Sequence, residues 1–133
     1  METQAPPALD DPGISLAVTA EALFLINLML APGLAFVVLA WLWHSRRQRA
    51  PALARNHLDQ TFFVSLWGGV LLVLANALMI YLGGYDQAWT WVVVILYFTT
   101  VHTTLICFGA LGLSRAMAGK RWRMPIIGPR IDD

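Results

Sequence analysis

Three long apolar runs constrain the fold of this 133-residue chain more than any other feature. They cover residues 18–43, 62–82 and 89–113, and only short polar segments separate them. An α-helix of about 20 apolar residues crosses a hydrocarbon core that is about 30 Å thick. Charged residues make up 13% of the chain, whereas soluble domains average about 25%. We therefore predict one all-α integral membrane domain with three transmembrane helices.

The basic residues are confined to one side of these runs. Four lie between the first and second runs and five follow the third: Arg46, Arg47, Arg49, Arg55, Arg115, Lys120, Arg121, Arg123 and Arg130. The lead-in over residues 1–15 has acidic but no basic residues, and the loop between runs two and three carries only Asp86. Because cytoplasmic loops are enriched in Lys and Arg, the pattern predicts an antiparallel bundle in a bacterial inner membrane. The N-terminus is expected to be periplasmic and the C-terminus cytoplasmic.

Glycine and proline positions predict where the helices bend or end. Pro32 and Gly33 lie in the middle of run one, and Pro32 removes one backbone hydrogen bond, so we expect a kinked first helix. The third helix is expected to continue past residue 113 and to end at Gly119. Residues 44–61 and 119–133 are predicted to lie along the cytoplasmic membrane surface, the former carrying a short helix that starts near Pro51.

Polar and small residues inside the runs predict helix–helix contacts. Such residues permit close approach of helices or bond across them, and the candidates are Asn27, Ser65, Gly69, Asn76, Thr99 and Thr103. Asn27 and Asn76 fall at similar predicted depth, which allows a bond between them. Lipid headgroups are the expected neighbours of the interfacial residues Arg46, Arg47, Arg121, Trp122 and Arg123.

His102 is the one histidine near the centre of a run, where a polar side chain is costly and usually faces protein. Helical rise places His57 about 22 Å from it in depth, so the two cannot share a haem within one chain. No cofactor is therefore expected, and the alternative is a haem b or a quinone near His102, shared with a partner subunit. The neighbouring aromatic residues Trp91, Tyr97 and Phe98 are consistent with such a pocket.

The sequence contains no recognisable catalytic arrangement, metal motif or phosphate-binding loop. Ser65 and Ser114 have no histidine at matching predicted depth, and the single cysteine, Cys107, permits no intrachain disulfide. Nucleic-acid binding is not expected, because the basic residues are better explained by membrane topology. We therefore predict a protein without enzymatic activity whose partners are membrane lipids and either a larger membrane-protein complex or further copies of the same chain.

Two stretches resemble a small bacterial membrane-protein family of unknown function, distantly grouped with a chloroplast inner-envelope import channel component. The segment Asn56-His57-Leu58-Asp59-Gln60 resembles its His-x-x-Gln entry to a helix. The segment from Ala116 to Pro125 is similar to its Ala-x-x-Gly-x-x-aromatic-Arg-aromatic-Pro ending, except that Met124 replaces the last aromatic. The similarity covers Asn56–Ile127 and implies no catalytic residue. His57 and Gln60 share one helical face, where they are placed to bond a folded-back tail.

These observations favour a small accessory or scaffold subunit of a larger inner-membrane complex, bioenergetic or for transport. The first alternative is an electron-transfer subunit with its cofactor near His102. The second, an oligomeric channel or import-related component, rests on family analogy.

Overall fold

The computed structural model describes residues 11–131, and this part of the chain is helical with no β-strand. The helices are α1 (Pro12–Met29), α2 (Leu34–Arg46), α3 (Ala52–Gly69), α4 (Ala75–Gly83) and α5 (Ala88–Met117). A π-helical segment, Val70–Leu74, joins α3 to α4 without a break, so the two form one helix of 32 residues. By length and composition, three helices are able to cross a membrane: α1, the α3–α4 helix and α5. The prediction of an all-α, multi-pass membrane fold is confirmed at this level.

Run one forms two helices rather than one kinked helix. Helix α1 ends at Met29 and α2 starts at Leu34. Between them, Pro32 cannot donate a backbone hydrogen bond, and Gly33 adopts φ 84°, a left-handed conformation that favours glycine. The Gly33 amide donates to Asn27 Oδ1 at 2.9 Å, which satisfies a backbone group that the helix break leaves without a partner. The chain therefore reverses direction at this point, and α1 and α2 form a helical hairpin.

The hairpin packs with α1 parallel to α3 and antiparallel to α5. At its start, the position of a Cβ on Gly13 lies 3.4 Å from Pro51 Cγ, immediately before α3. At its end, the carbonyl of Leu28 bonds His102, in the middle of the 30-residue helix α5. One end of the bundle carries the basic segment between α2 and α3 and the tail after α5, and we call it the basic end. Helix α1 thus begins at the basic end and stops about halfway along the bundle.

This arrangement corrects two predictions. Run one over residues 18–43 is not one continuous helix, and the start of α1 does not lie at the opposite end of the bundle from the basic segments. Hydropathy cannot separate one long apolar helix from two shorter ones that fold against each other, because both keep the same residues apolar. The residues of the predicted lead-in are helical from Pro12, while residues 1–10 lie outside the described part.

The segment after Pro51 also differs from the prediction of a separate surface helix. Helix α3 starts at Ala52 and continues directly into run two. Leu58 is fully buried because α1 and α2 cover it, in a cluster with Ala20, Leu39, Ala50 and Ala54. A second cluster, nearer the middle of the bundle, contains Phe24, Val64, Leu105 and Met124.

Helices α1 and α5 approach closely because α5 has glycine at the contact. A Cβ on Gly109 would lie 2.9 Å from Phe24 Cε1, and one on Gly112 would lie 2.5 Å from Glu21 Oε2. These contacts leave no room for a side chain, so the glycines allow two larger buried residues of α1 to fit against the backbone of α5.

The end of α5 confirms its predicted stop signal. Gly119 has φ 66°, its amide donates to the carbonyl of Ala116, and the amide of Lys120 donates to the carbonyl of Arg115. This is a Schellman cap, and the left-handed residue is the predicted glycine. The chain beyond it folds back under the basic end of α3, where Met124 is buried.

Candidate functional site

A cavity of about 380 Å³ lies at the tip of the hairpin, between α1, α2, α3 and α5. Its walls are mainly apolar and include aromatic and small side chains: Phe36, Gly68, Gly69, Leu72 and Phe98. Polar groups enter it at three points, Asn27, Ser65 and His102. Exposed residues such as Leu66 and Val73 form its edge, so it reaches the outer surface of the bundle. We refer to it as the hairpin cavity; its size and composition are typical of a small-molecule site.

His102 links α5 to the hairpin and forms one wall of the cavity. Its Nε2 donates to the Leu28 carbonyl at 2.9 Å, and its ring stacks on Phe98 with a centroid distance of 5.1 Å. Because a carbonyl only accepts, Nε2 carries the proton, and in the neutral imidazole Nδ1 keeps a lone pair. His102 therefore makes a structural bond through Nε2, and Nδ1 of this cavity-lining residue keeps the capacity to accept a hydrogen bond.

Ser65 supplies a second polar group with capacity to bind. The residue is 7% exposed, and its Oγ has no hydrogen-bond partner among the residues that the structure describes. Buried polar groups normally have partners, and an unsatisfied one is costly. Ser65 and His102 thus place a hydroxyl and a ring acceptor on the walls of one apolar cavity.

The π-helical segment borders the same cavity. It leaves backbone carbonyls to be satisfied by side chains: Tyr97 Oη donates to Leu71 at 2.9 Å, and Asn76 Nδ2 donates to Leu72 at 2.7 Å. Such segments are frequent at functional sites because they reshape one face of a helix. Here the segment places Leu72 and Val73 on the cavity wall.

A separate polar cluster lies at the basic end, between α1, α3 and the tail. His57 Nδ1 is 2.6 Å from Glu21 Oε1, and its Nε2 donates to the Lys120 carbonyl at 2.9 Å. Both side chains of the pair are almost fully buried. Since Nε2 must carry a proton for the carbonyl, one further proton is shared between Nδ1 and Glu21, and the pair is neutral overall in either arrangement.

The side chains of α3 hold the folded-back tail by its backbone. Gln60 Nε2 donates to the Pro129 carbonyl at 2.7 Å, and Gln60 Oε1 accepts from the Met124 amide at 3.0 Å. Asn56 Oδ1 accepts from the Trp122 amide at 2.8 Å. The prediction that His57 and Gln60 bond the tail is confirmed. Their tail contacts are to backbone atoms, so the arrangement anchors the tail.

Four of the predicted helix-contact residues occupy two kinds of place. Ser65 and Gly69 line the cavity, Ser65 buried and Gly69 at an exposed position, whereas Thr99 and Thr103 are exposed on the bundle surface. A Cβ on Gly69 would meet no atom within 4 Å. Contacts of these exposed residues with another chain stay a prediction.

The suggested bond between Asn27 and Asn76 is wrong. Asn27 Oδ1 accepts from Gly33, and Asn76 Nδ2 donates to the backbone of its own helix. Each amide bonds a backbone group where regular α-helix geometry is interrupted, at the end of α1 for Asn27 and at the π-helical segment for Asn76. Predicted depth in the membrane does not identify these local partners.

The interfacial residues differ in how they are held. Arg47 bonds Asp59 at 2.6 Å and lies over the Trp43 ring, and Trp43 also donates to Asp59. Arg123 donates to the Gly128 carbonyl, while Arg46 is exposed. The other two predicted interfacial residues lie in the tail, where Arg121 is exposed and Trp122 is half-buried.

Two of the histidines, His57 and His102, form hydrogen bonds within the protein. Both ring nitrogens of His57 are engaged inside the protein, and His102 would have to give up its bond to Leu28 before Nε2 ligated iron. Within residues 11–131, no group of three metal-ligating side chains lies together. The hairpin cavity is instead suited to an apolar molecule with a small polar head.

Sequence reasoning missed the partner of His57. Glu21 is buried at the basic end and lies 36 residues from His57 in sequence. The available signal was the spacing of Gly109, Gly112 and Ala116 on α5, which indicates a closely packed helix against that face. Comparisons with family models, with curated proteins and with solved structures found no match for this chain.

Proposed function

We propose that this protein is a non-enzymatic accessory or scaffold subunit of a larger complex in a bacterial inner membrane. Two features support an assembly role. At the basic end, hydrogen bonds of Glu21, His57 and Gln60 join the hairpin, α3 and the tail. The outer face of α5 carries polar side chains at a depth where lipid alone would favour apolar ones.

That outer face is the observation that carries the proposal. Four threonines and the single cysteine lie on one side of α5 and are all exposed: Thr99, Thr100, Thr103, Thr104 and Cys107. Thr100 and Thr104 donate to carbonyls of their own helix at 2.8 and 2.7 Å. Small side chains of this kind allow the backbone of a second helix to approach closely. We call these five residues the threonine face and assign it to contact with a partner helix.

The proposed orientation places the basic end in the cytoplasm. The positive-inside tendency supports it, since the basic residues of the tail and four arginines lie at this end: Arg46, Arg47, Arg49 and Arg55. In this orientation α1 enters from the cytoplasmic side and α2 returns to it. The α1–α2 hairpin then penetrates about half of the membrane, while the α3–α4 helix and α5 cross it.

Purification from native membranes in mild detergent tests the assembly role. The wild-type chain is expected to co-purify with a stoichiometric membrane partner, and Thr103→Leu is expected to weaken that association by adding bulk to the threonine face. Leu78→Phe, which adds bulk to an exposed position of α4, is the matched control and should retain the partner. A wild-type chain that elutes alone would contradict the proposal.

Oxidative crosslinking at Cys107 identifies whether the partner is a second copy. A disulfide-linked dimer formed in membranes would show that two threonine faces meet. A complex that contains another protein and forms no such dimer would assign the face to that protein.

A further inference from the structure

The geometry points to the hairpin cavity as a binding site for a membrane-soluble phenol or quinol with an apolar tail. This inference goes beyond the accessory role and does not depend on it. Three polar side chains enter its apolar walls. The oxygen of Asn27 accepts from the Gly33 amide, and the other two residues, Ser65 and His102, define the head of the ligand.

The hydrogen-bonding capacities of the two polar groups define the head of the ligand. His102 Nδ1 is available as an acceptor because Nε2 donates to Leu28. Ser65 Oγ is buried and has no partner among residues 11–131, and a hydroxyl both donates and accepts. A ligand hydroxyl therefore donates to His102 Nδ1 and accepts from Ser65. A plain acyl chain satisfies neither group.

The cavity walls favour an aromatic ring next to that hydroxyl. Phe98 stacks on the His102 ring, and Phe36 lies on another part of the lining. Aromatic side chains bind rings through offset or edge-to-face contacts. The volume of about 380 Å³ is at the lower end of the usual range for ligand sites and accommodates a single substituted ring with the first part of its tail.

The open edge of the cavity provides a path for the tail. Leu66 and Val73 are exposed there, at the level of the hairpin tip and about the middle of α5. A ligand dissolved in the hydrocarbon core enters from this side with its head first, and its tail stays among the lipid chains. The site thus requires no passage from water.

The test compares two probes that differ in whether the ring oxygen carries a hydrogen atom or a methyl group. Binding of 4-decylphenol and of its methyl ether, 4-decylanisole, is measured by calorimetry on the purified full-length protein in detergent, with protein-free micelles as the blank. The phenol is expected to bind saturably and roughly tenfold more tightly than the ether, the effect of losing one good hydrogen bond. Equal affinity for both probes, or no saturable binding of either, would overturn the inference.

Three variants locate the binding. Ser65→Ala removes a hydroxyl that has no partner within the described residues, so folding is expected to persist. Because the oxygen of either probe accepts from Ser65, both probes should bind more weakly to this variant, while the preference for the phenol, which depends on donation to His102, should remain. Gly69→Leu fills the cavity from a position where a Cβ meets no atom within 4 Å, and it is expected to abolish binding of both probes. Leu82→Ala, at an exposed position of α4 outside the cavity lining, is the control and should bind like the wild type. Unchanged affinity of Ser65→Ala for the phenol would overturn the assignment of the head group.

Discussion

Glu21 and His57 meet 2.6 Å apart in the interior, where neither side chain has appreciable contact with solvent. The bond joins the middle of α1 to the first turns of α3, and the second nitrogen of His57 extends it to the tail. Three segments far apart in sequence are thereby fixed to one point. Because the pair is neutral overall, its burial places no net charge in the protein interior.

Removing one member of this pair is expected to be strongly destabilising. Glu21→Leu leaves His57 without its partner, and loss of one side of a buried pair costs about 3–5 kcal/mol of unfolding free energy. Glu21→Gln retains a hydrogen bond to Nδ1 and should cost about 1 kcal/mol. The unfolding free energies of the two variants are measured by monitoring unfolding in mixed detergent with circular dichroism. The double variant Glu21→Leu with His57→Leu should lose less than the sum of the single changes, and simple additivity would show that the two residues are not coupled.

Gly112→Ala is expected to disturb the same pair from the opposite helix. Its Cβ would fall 2.5 Å from Glu21 Oε2, so α1 must move away from α5 or Glu21 must leave His57. We expect a loss of stability of about 1–3 kcal/mol, the usual cost of forcing extra volume into a packed interior. Gly69→Ala is the matched control: its Cβ meets no atom within 4 Å, and replacement of glycine in a helix by alanine should be neutral or stabilising. Similar losses for both glycines would show that the effect is not specific to the α1 contact.

Gly128→Ala is expected to release the tail. Its Cβ would collide with Gln60 Oε1 and would lie 2.5 Å from the carbonyl of Met124. The tail is then held less tightly, and trypsin should cleave after Arg123 faster than in the wild type by roughly five- to tenfold, because cleavage follows the population of the open form. Limited proteolysis with mass spectrometry measures this rate.

Ile126→Gly provides the opposite change in the same turn. Ile126 adopts φ 71°, which a β-branched residue tolerates poorly, and its side chain is almost fully exposed. Glycine removes that steric conflict and should leave the tail as resistant as the wild type or more so. Faster cleavage in this variant would contradict the view that the turn conformation is determined by Gln60 and Gly128.

The sequence predicts the parts of this fold that depend on local chemistry. Apolar run length identifies the long helices, Gly119 ends α5 as expected, and the shared face of His57 and Gln60 predicts the tail contact. The hairpin is fixed to α3 by the contact between Glu21 and His57, which are 36 residues apart in sequence. Neither the hydropathy pattern nor the spacing of residues within one helix predicts such a contact. The cavity is missed for the same reason, since it exists only because α1 and α2 stop halfway along their neighbours. Ser65 and His102 are visible as polar residues in apolar runs, but their common cavity follows only from the tertiary structure.

The hairpin and the single-crossing arrangement predict opposite accessibilities for the start of α1. Single cysteines at positions 15, 48 and 87, in a Cys107→Ser background, are treated with a membrane-impermeant thiol reagent on intact cells. Ser15 and Gln48 both lie at the basic end, whereas Gln87 lies in the loop between α4 and α5 at the other end. If the basic end is cytoplasmic, labelling is expected at position 87 only, and positions 15 and 48 should react after the membrane is permeabilised. Labelling at both 15 and 87 in intact cells would instead require run one to cross the membrane, and the packing of Glu21 against His57 would then be wrong.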